Sequence, residues 1–219
     1  MTKVRFTLAA ALPACLCAAA FAAAPESAPD ADRILVDLAA GNQRFVAGKC
    51  THPNQNAARR AELAKAQHPM AAVLACSDSR VPPEIIFDRG MGDLFVIRVA
   101  GNTADDVALG SMEYAVEHLH TKVLMVLGHE RCGAVSAAVA GGEAPGHIRS
   151  LVEALLPAVR AAKGRPGDTI DNAVHINVEQ VVAKVRASQP ILAEAVKAGH
   201  VKLVGAYYDL DTGKVTILP

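Results

Sequence analysis

The sequence of 219 residues contains no tryptophan, and aromatic residues of all kinds make up only 4% of it. A core built from it is aliphatic, and a broad aromatic platform for stacking sugars or bases is excluded. An excess of charge of one sign is also missing. Basic and acidic residues each number 22, so the formal net charge is zero. Nothing in that balance points to nucleic acid or to a charged membrane surface as a partner. Five cysteines are too few to staple a chain of this length as a disulfide scaffold. With 52% hydrophobic and 20% charged residues, disorder throughout is excluded. The length suits one domain.

The longest uncharged run lies at the start. Lys3 and Arg5 precede a stretch without charge from Phe6 to Ala24, closed by small residues. That is the pattern of an export signal, and Pro13 with the alanine-rich content favours cleavage over a retained anchor. Residues 1–22 are predicted to be a signal peptide, with cleavage near Ala22 to Ala24. Residues 23–31 are a linker, and residues 32–219 a single domain. The expected location is outside the cytoplasm, in a periplasm, with no stable membrane insertion once the signal is removed. Cys15 and Cys17 leave with it. Cys50, Cys76 and Cys132 remain, an odd number that cannot all pair within one chain.

Beyond the linker, strand and helix signals alternate. The spacing of Ile34, Leu35, Leu38 and Phe45 predicts a helix over 32–49, and a second, short helix is expected over 57–66. Continuous apolar runs at 70–75, 93–99, 122–127 and 201–208 read as strands buried on both faces. A helix is expected between the second and third of these, over 103–120, with Asp105 and Asp106 in its first turn. Further helices are expected over 178–187 and from Pro190. The turn at Asp211-Thr212-Gly213 closes a hairpin between 207–210 and 215–218. Strands separated by helices predict an α/β fold with a parallel sheet.

Two strand ends carry chemistry. The first reads Ala75-Cys76-Ser77-Asp78-Ser79-Arg80, the third Gly128-His129-Glu130-Arg131-Cys132-Gly133. In an open α/β sheet, ligands bind beyond the carboxyl ends of the strands. The two-residue step from Cys76 to Asp78 aims both side chains to one side of an extended segment. The three-residue step from His129 to Cys132 suits a turn entering a helix. Two thiols, an imidazole and a carboxylate favour zinc over calcium or magnesium. The residues alone leave other readings open: a Cys76–Cys132 disulfide, an ordinary Asp78–Arg80 ion pair, or a core histidine at 129.

Those two segments, with Val81 after the first and Arg98-x-Ala100-Gly101-Asn102 between them, resemble the paired signatures of the β-class carbonic anhydrases. The resemblance runs from about Ile34 to the C-terminal strands. It implies a mostly parallel four-stranded sheet flanked by helices, an added C-terminal strand, and an N-terminal helical arm packed over a partner subunit. It implies self-association as a dimer or tetramer. It implies one Zn2+ per chain, held by Cys76, His129 and Cys132, and reversible hydration of carbon dioxide to bicarbonate by attack of zinc-bound hydroxide. Asp78 matches the residue that either takes the fourth metal position or turns away to pair with Arg80. Gln67, Phe95, Gly101 and Tyr114 match substrate-pocket positions, with Phe95 and Tyr114 offered across a dimer interface. The inhibitory bicarbonate site of one family branch uses a tryptophan and is not expected here.

Two other functions remain compatible with the same residues. One is a relative acting on another small cumulated substrate such as carbon disulfide. The other is a non-enzymatic zinc or bicarbonate-sensing module, which would keep Asp78 on the metal. Arg80 argues against the second, because it gives Asp78 another partner.

Overall fold

The computed structural model describes residues 30–219. The expected signal peptide, and all but the last two residues of the expected linker, lie outside the described residues. The chain runs α1 (Ala31–Val46), α2 (Ala57–Leu63), β1 (Ala71–Ala75), α3 (Pro83–Ile86), β2 (Leu94–Arg98) and a short 3-10 turn (Ala100–Asn102). It continues through α4 (Asp106–Glu117), β3 (Val123–His129), α5 (Gly133–Ala140), α6 (Ile148–Ala162), α7 (Thr169–Ala187), α8 (Ile191–Lys197), β4 (Lys202–Tyr208) and β5 (Val215–Ile217).

The strands form one sheet in the order β2-β1-β3-β4-β5. The first four are parallel, and β5 is antiparallel to β4 across the hairpin. Every residue of β1 and β3 is buried, which is why both read as unbroken apolar runs rather than alternating ones. One face packs under α4, α7 and α8 through Leu74, Met112, Leu124, Val178 and Leu192. The other packs under α1 and α3 through Ile34, Leu38, Val73, Ile86 and Met125. Among the described residues no helix is long and apolar enough to cross a membrane.

The placement of α1 corrects one expectation. Its apolar stripe does not wait for a partner subunit, because Ile34 and Leu38 are buried in this chain's own core. Asn42 on the same helix donates to the carbonyls of Ile86 and Gly213, at 3.2 and 2.8 Å, and accepts from the Val215 N–H at 2.8 Å. A buried amide with its bonds made to α3 and to the C-terminal hairpin fixes the helix where it lies. Val36 and Val46 remain exposed on its outer side.

Helices α5 and α6 and the part of α7 before Val178 go beyond the sequence expectations. Asp168 caps α7, accepting the Asp171 N–H at 2.8 Å. The helix therefore starts at Thr169, and it carries a buried polar residue, Asn177, amid its apolar face.

Candidate metal centre

Strand β1 ends at Ala75, and its register puts Ala75 level with Arg98 of β2 and Leu127 of β3. Cys76 is the first residue past that end. Strand β3 continues to His129, and Cys132 is the N-cap residue of α5. The sulfurs of Cys76 and Cys132 and a ring nitrogen of His129 all lie within 4.8 Å of one another, and all three residues are buried. Among the described residues no disulfide forms: Cys50, Cys76 and Cys132 are free thiols.

The histidine ring is fixed by its neighbour. Its Nδ1 lies 2.8 Å from the Glu130 carbonyl, so Nδ1–H donates and Nε2 keeps a lone pair. That Nε2 is buried and has no partner. A buried acceptor facing two thiols at this separation fits a single cation, since metal–sulfur and metal–nitrogen bonds of about 2.3 and 2.0 Å span such a gap.

Backbone donors surround both sulfurs. Cys76 accepts from the Gly101 N–H at 3.2 Å and from the Asp78 N–H at 3.4 Å. The N–H groups of Ala134 and Val135, in the first turn of α5, face Cys132. The neighbouring Cys132 thiol holds Cys76 well below the ordinary thiol range, against the opposing effect of burial. The proximity of Cys76, with burial, pushes Cys132 up. One negative charge thus forms readily on the pair, and the second calls for a cation.

Asp78 is engaged by Arg80. Its Oδ1 accepts from the Arg80 backbone N–H and Nε, each at 2.9 Å, and its Oδ2 accepts from Nη2 at 2.7 Å. The Arg80 guanidinium holds the Asp78 carboxyl well below the usual carboxylate range despite partial burial. Asp78 Oδ2 also lies 3.8 Å from His129 Nε2, so the carboxylate borders the cluster while paired away from it.

Several residues of this site were not singled out by sequence. Arg98, at the end of β2, donates to the Cys76 carbonyl at 3.0 Å and to the Asp78 carbonyl at 2.5 Å, splinting the loop that carries both. Arg131 adopts φ 49° and pairs through both amino groups with Asp211 in the hairpin turn, at 3.0 and 2.6 Å. Asn177 donates to the Gly101 carbonyl at 2.9 Å. Only Arg98 had a signal, its place beside Gly101 in the short motif. Arg131, Asp211 and Asn177 are joined to the site by folding alone.

The other pocket positions lie elsewhere within one chain. Phe95 pairs with Ala72 of β1, four residues before Cys76 and about 13 Å away at roughly 3.3 Å per strand residue. Gln67 is exposed in the loop before β1, beside Leu63 and Gly92. Tyr114 on α4 is 47% exposed, its ring 6.1 Å from that of Phe95 and 5.0 Å from that of His118. The structure gathers Cys76, Asp78, Arg80, Gly101, His129 and Cys132 and leaves Gln67, Phe95 and Tyr114 outside that group.

A buried Cys–His–Cys cluster beyond the carboxyl ends of two adjacent parallel strands marks an open α/β protein with a metal centre. Comparison with known proteins narrows the class. Residues 71–215 match the family model for carbonic anhydrase. The chain is 42% identical to carbonic anhydrase 2 of Mycobacterium tuberculosis over 184 residues, covering 82% of this chain and 89% of that one. Among solved structures it resembles a tetrameric β-carbonic anhydrase of Sordaria macrospora, with TM-score 0.69 and 25% identity over 85% of this chain and 97% of the other. A Coccomyxa β-carbonic anhydrase solved with acetazolamide aligns with TM-score 0.66 and 28% identity, covering 86% and 83%. The chain belongs to the β-class of the carbonic anhydrase family, whose activity is the interconversion of carbon dioxide and bicarbonate.

Proposed function

We propose that this chain is a zinc-dependent carbonic anhydrase with one Zn2+ held by Cys76, His129 and Cys132. The observation that carries the metal is the buried, unpartnered Nε2 of His129 facing two sulfurs. Two thiols and one imidazole suit zinc and disfavour calcium and magnesium. Three protein ligands would leave a fourth position open for water, whose pKa zinc would lower so that a nucleophile forms near neutral pH.

The remaining chemistry belongs to side chains of this protein. Arg80 engages both carboxylate oxygens of Asp78 and keeps that group off the cluster. Asp78, bordering the site as an anion, accepts a hydrogen bond from the attacking oxygen and orients it toward carbon dioxide. When the Arg80 pairing breaks, the same carboxylate competes for the open position and shuts the site. This two-way partner choice separates an enzyme from a structural zinc site.

The reading extends to assembly and export. β2 lies at the edge of the sheet, Tyr114 is exposed, and Val107 on the same helix is 78% exposed. Association across this side would bring Phe95 and Tyr114 of one subunit to the centre of another, with Gln67 donating to an oxygen of carbon dioxide or bicarbonate. The leader with Lys3, Arg5 and the uncharged run supports export to a periplasm. The deciding experiment is stopped-flow hydration of carbon dioxide by the purified protein, with zinc measured on the same sample. Rapid hydration at about one zinc per chain is expected. Hydration at the uncatalysed rate by fully zinc-loaded protein would sink the proposal.

A further inference from the structure

Helix α7 packs closely on β3, which ends at His129, and on its neighbour β4, because side chains are absent where it crosses them. A Cβ on Gly128, the residue before His129, would lie 2.6 Å from Val178 Cγ2 and 3.1 Å from Val174 Cγ1. A Cβ on Gly205 of β4 would lie 2.9 Å from Val178 Cγ1. These two positions seat α7 on strand backbone directly behind the site. Its buried face is apolar apart from Asn177, whose side-chain amide reaches away from the sheet to the turn after β2.

That turn is held from two sides. Gly101 has φ 73° and ψ 16°, a conformation that glycine adopts freely. A Cβ there would meet Leu155 Cδ1 at 2.9 Å. Asn177 Nδ2 donates to the Gly101 carbonyl at 2.9 Å, and the Gly101 N–H donates to Cys76 Sγ at 3.2 Å. A continuous connection thus runs from the interior of α7 through a single glycine to one sulfur of the cluster.

We propose that Asn177 is a positioning residue for this site: by fixing the Gly101 turn it keeps the Gly101 N–H aimed at the Cys76 sulfur and so moderates how much charge that thiolate gives to the metal. The inference rests on Cys76 being a metal ligand, as proposed above. An N–H···S bond withdraws density from the sulfur, and partners of ligands tune both metal affinity and the charge left on the metal. The effect matters most where two thiolates already cancel the charge of a divalent ion. A purely structural asparagine would do no more than satisfy a buried carbonyl. The two roles differ in what they do to the metal–sulfur bond.

The test uses the full protein with cobalt(II) in place of zinc, so that the thiolate-to-cobalt charge-transfer band reports on the sulfurs. Asn177→Leu keeps the volume and removes the donor, and Asn177→Ala removes both. The expected result is a band moved to lower energy in both variants, with the rate of zinc release to a chelator changed about tenfold or more, the scale of outer-partner effects on metal affinity. An unmoved band with release within twofold of the wild type overturns the role of Asn177. A wild type whose bound cobalt shows no thiolate band overturns the metal reading instead. If neither variant folds, Asn177→Ser, too short to reach the Gly101 carbonyl, is read by the same band and release rate, with the same results supporting or overturning the proposal. In wild-type protein loaded with cadmium-113, absence of a through-bond coupling between cadmium and the Gly101 amide proton also defeats it.

Discussion

The two ends of the sheet are built differently. At the carboxyl end, Cys76, His129 and Cys132 are buried, and each is oriented by the backbone of this same chain. Toward the amino end and the β2 edge, Gln67, Phe95 and Tyr114 are exposed or half-buried and point to nothing catalytic within the chain. The difference teaches that one chain preorganises the Cys–His–Cys half of the site alone, whereas the half proposed to wall in the substrate would need something brought to it. Damage at the first end should be nearly all-or-none. Damage at the second should depend on association.

The largest effect is expected from Cys132→Ser. Serine is a good N-cap, so α5 should keep its start and the fold should survive. The site loses one of two sulfurs, and the remaining Cys76 and His129 do not make a zinc site. Zinc should fall from about one per chain to near zero, and hydration should fall to background. Elemental analysis and stopped-flow assay on the same preparation check this. An active Cys132→Ser protein without zinc would break the assignment of the carboxyl end.

Next comes Arg80→Ala, read as a pH profile of kcat/KM between pH 6.5 and 9, a span of about half a unit below and two above the neutral pKa of the best zinc-bound waters. Two thiolates would neutralise the charge of a bound zinc, so the proposed site would acidify its water less than three imidazoles would, and wild-type activity should rise toward alkaline pH. Without Arg80, Asp78 loses its charge-assisted partner. The carboxylate competes best where hydroxide is scarce. The loss should therefore reach about tenfold or more at the acid end and shrink toward pH 9. Equal activity of variant and wild type at pH 6.5 would remove Asp78 and Arg80 from any gating role.

How much of this was legible beforehand follows the same division. The Cys–His–Cys cluster and the Asp78–Arg80 pair were readable because each is a short local motif at the end of an apolar run, and a parallel sheet carries such ends to one place. β1 and β3 were readable because a doubly covered strand has no charged residue to blur it. β2 and β4, by contrast, are not buried on both faces throughout as expected, being half-buried along part of their length with Arg98 and Lys202 exposed at their ends. The start of α7 at Thr169 was not, since Asp171, Asn172, His175 and Asn177 break the apolar period there. With that segment unread, the Asn177–Gly101 bond was invisible, as was the Arg131–Asp211 pair, whose members are 80 residues apart. The packing of α1 on its own sheet was misjudged because an amphipathic stripe says only that a face must be covered, and Asn42 reveals by what only once its three partners are in place.

At the β2 edge the prediction is smaller and conditional. If Phe95 and Tyr114 serve a neighbouring subunit, diluting the protein until light scattering reports monomers should lower specific activity several-fold while zinc content stays constant. Tyr114→Ala should bring that decline on at higher protein concentration. A monomer with full activity would show that the exposed end contributes nothing to catalysis and that one chain suffices.

The smallest effect on turnover is expected from a second carboxylate, and it tests whether perturbation alone marks function. Asp88 resembles Asp78 in being paired with an arginine and held low, but it lies before β2, away from the metal ligands. Its burial opposes ionisation, yet the N–H groups of Thr51 and His52, the Thr51 hydroxyl and Arg44, at 2.6 to 3.1 Å, outweigh it. These bonds tie the end of α1 to the segment after α3. Asp88→Asn keeps the shape but turns an amide toward donors, and it should cost about 2–3 kcal/mol, reduced from the value for a fully buried pair because Arg44 is one-third exposed and rehydrates. The sign with pH follows from the lowered value. Asp88 stabilises the fold fully above the unfolded carboxyl pKa of about 3.9, and its contribution fades as pH falls through the still lower folded value. Urea titrations should therefore show a gap between wild type and Asp88→Asn that is constant from pH 5 to 8, above that carboxyl pKa, and closes below about pH 4. At pH 8 the kcat/KM of the folded variant should equal the wild type's. A variant that is stable yet slow would place Asp88 in the catalytic machinery after all, and would show that the amino end of the sheet acts on the site without help from a second chain.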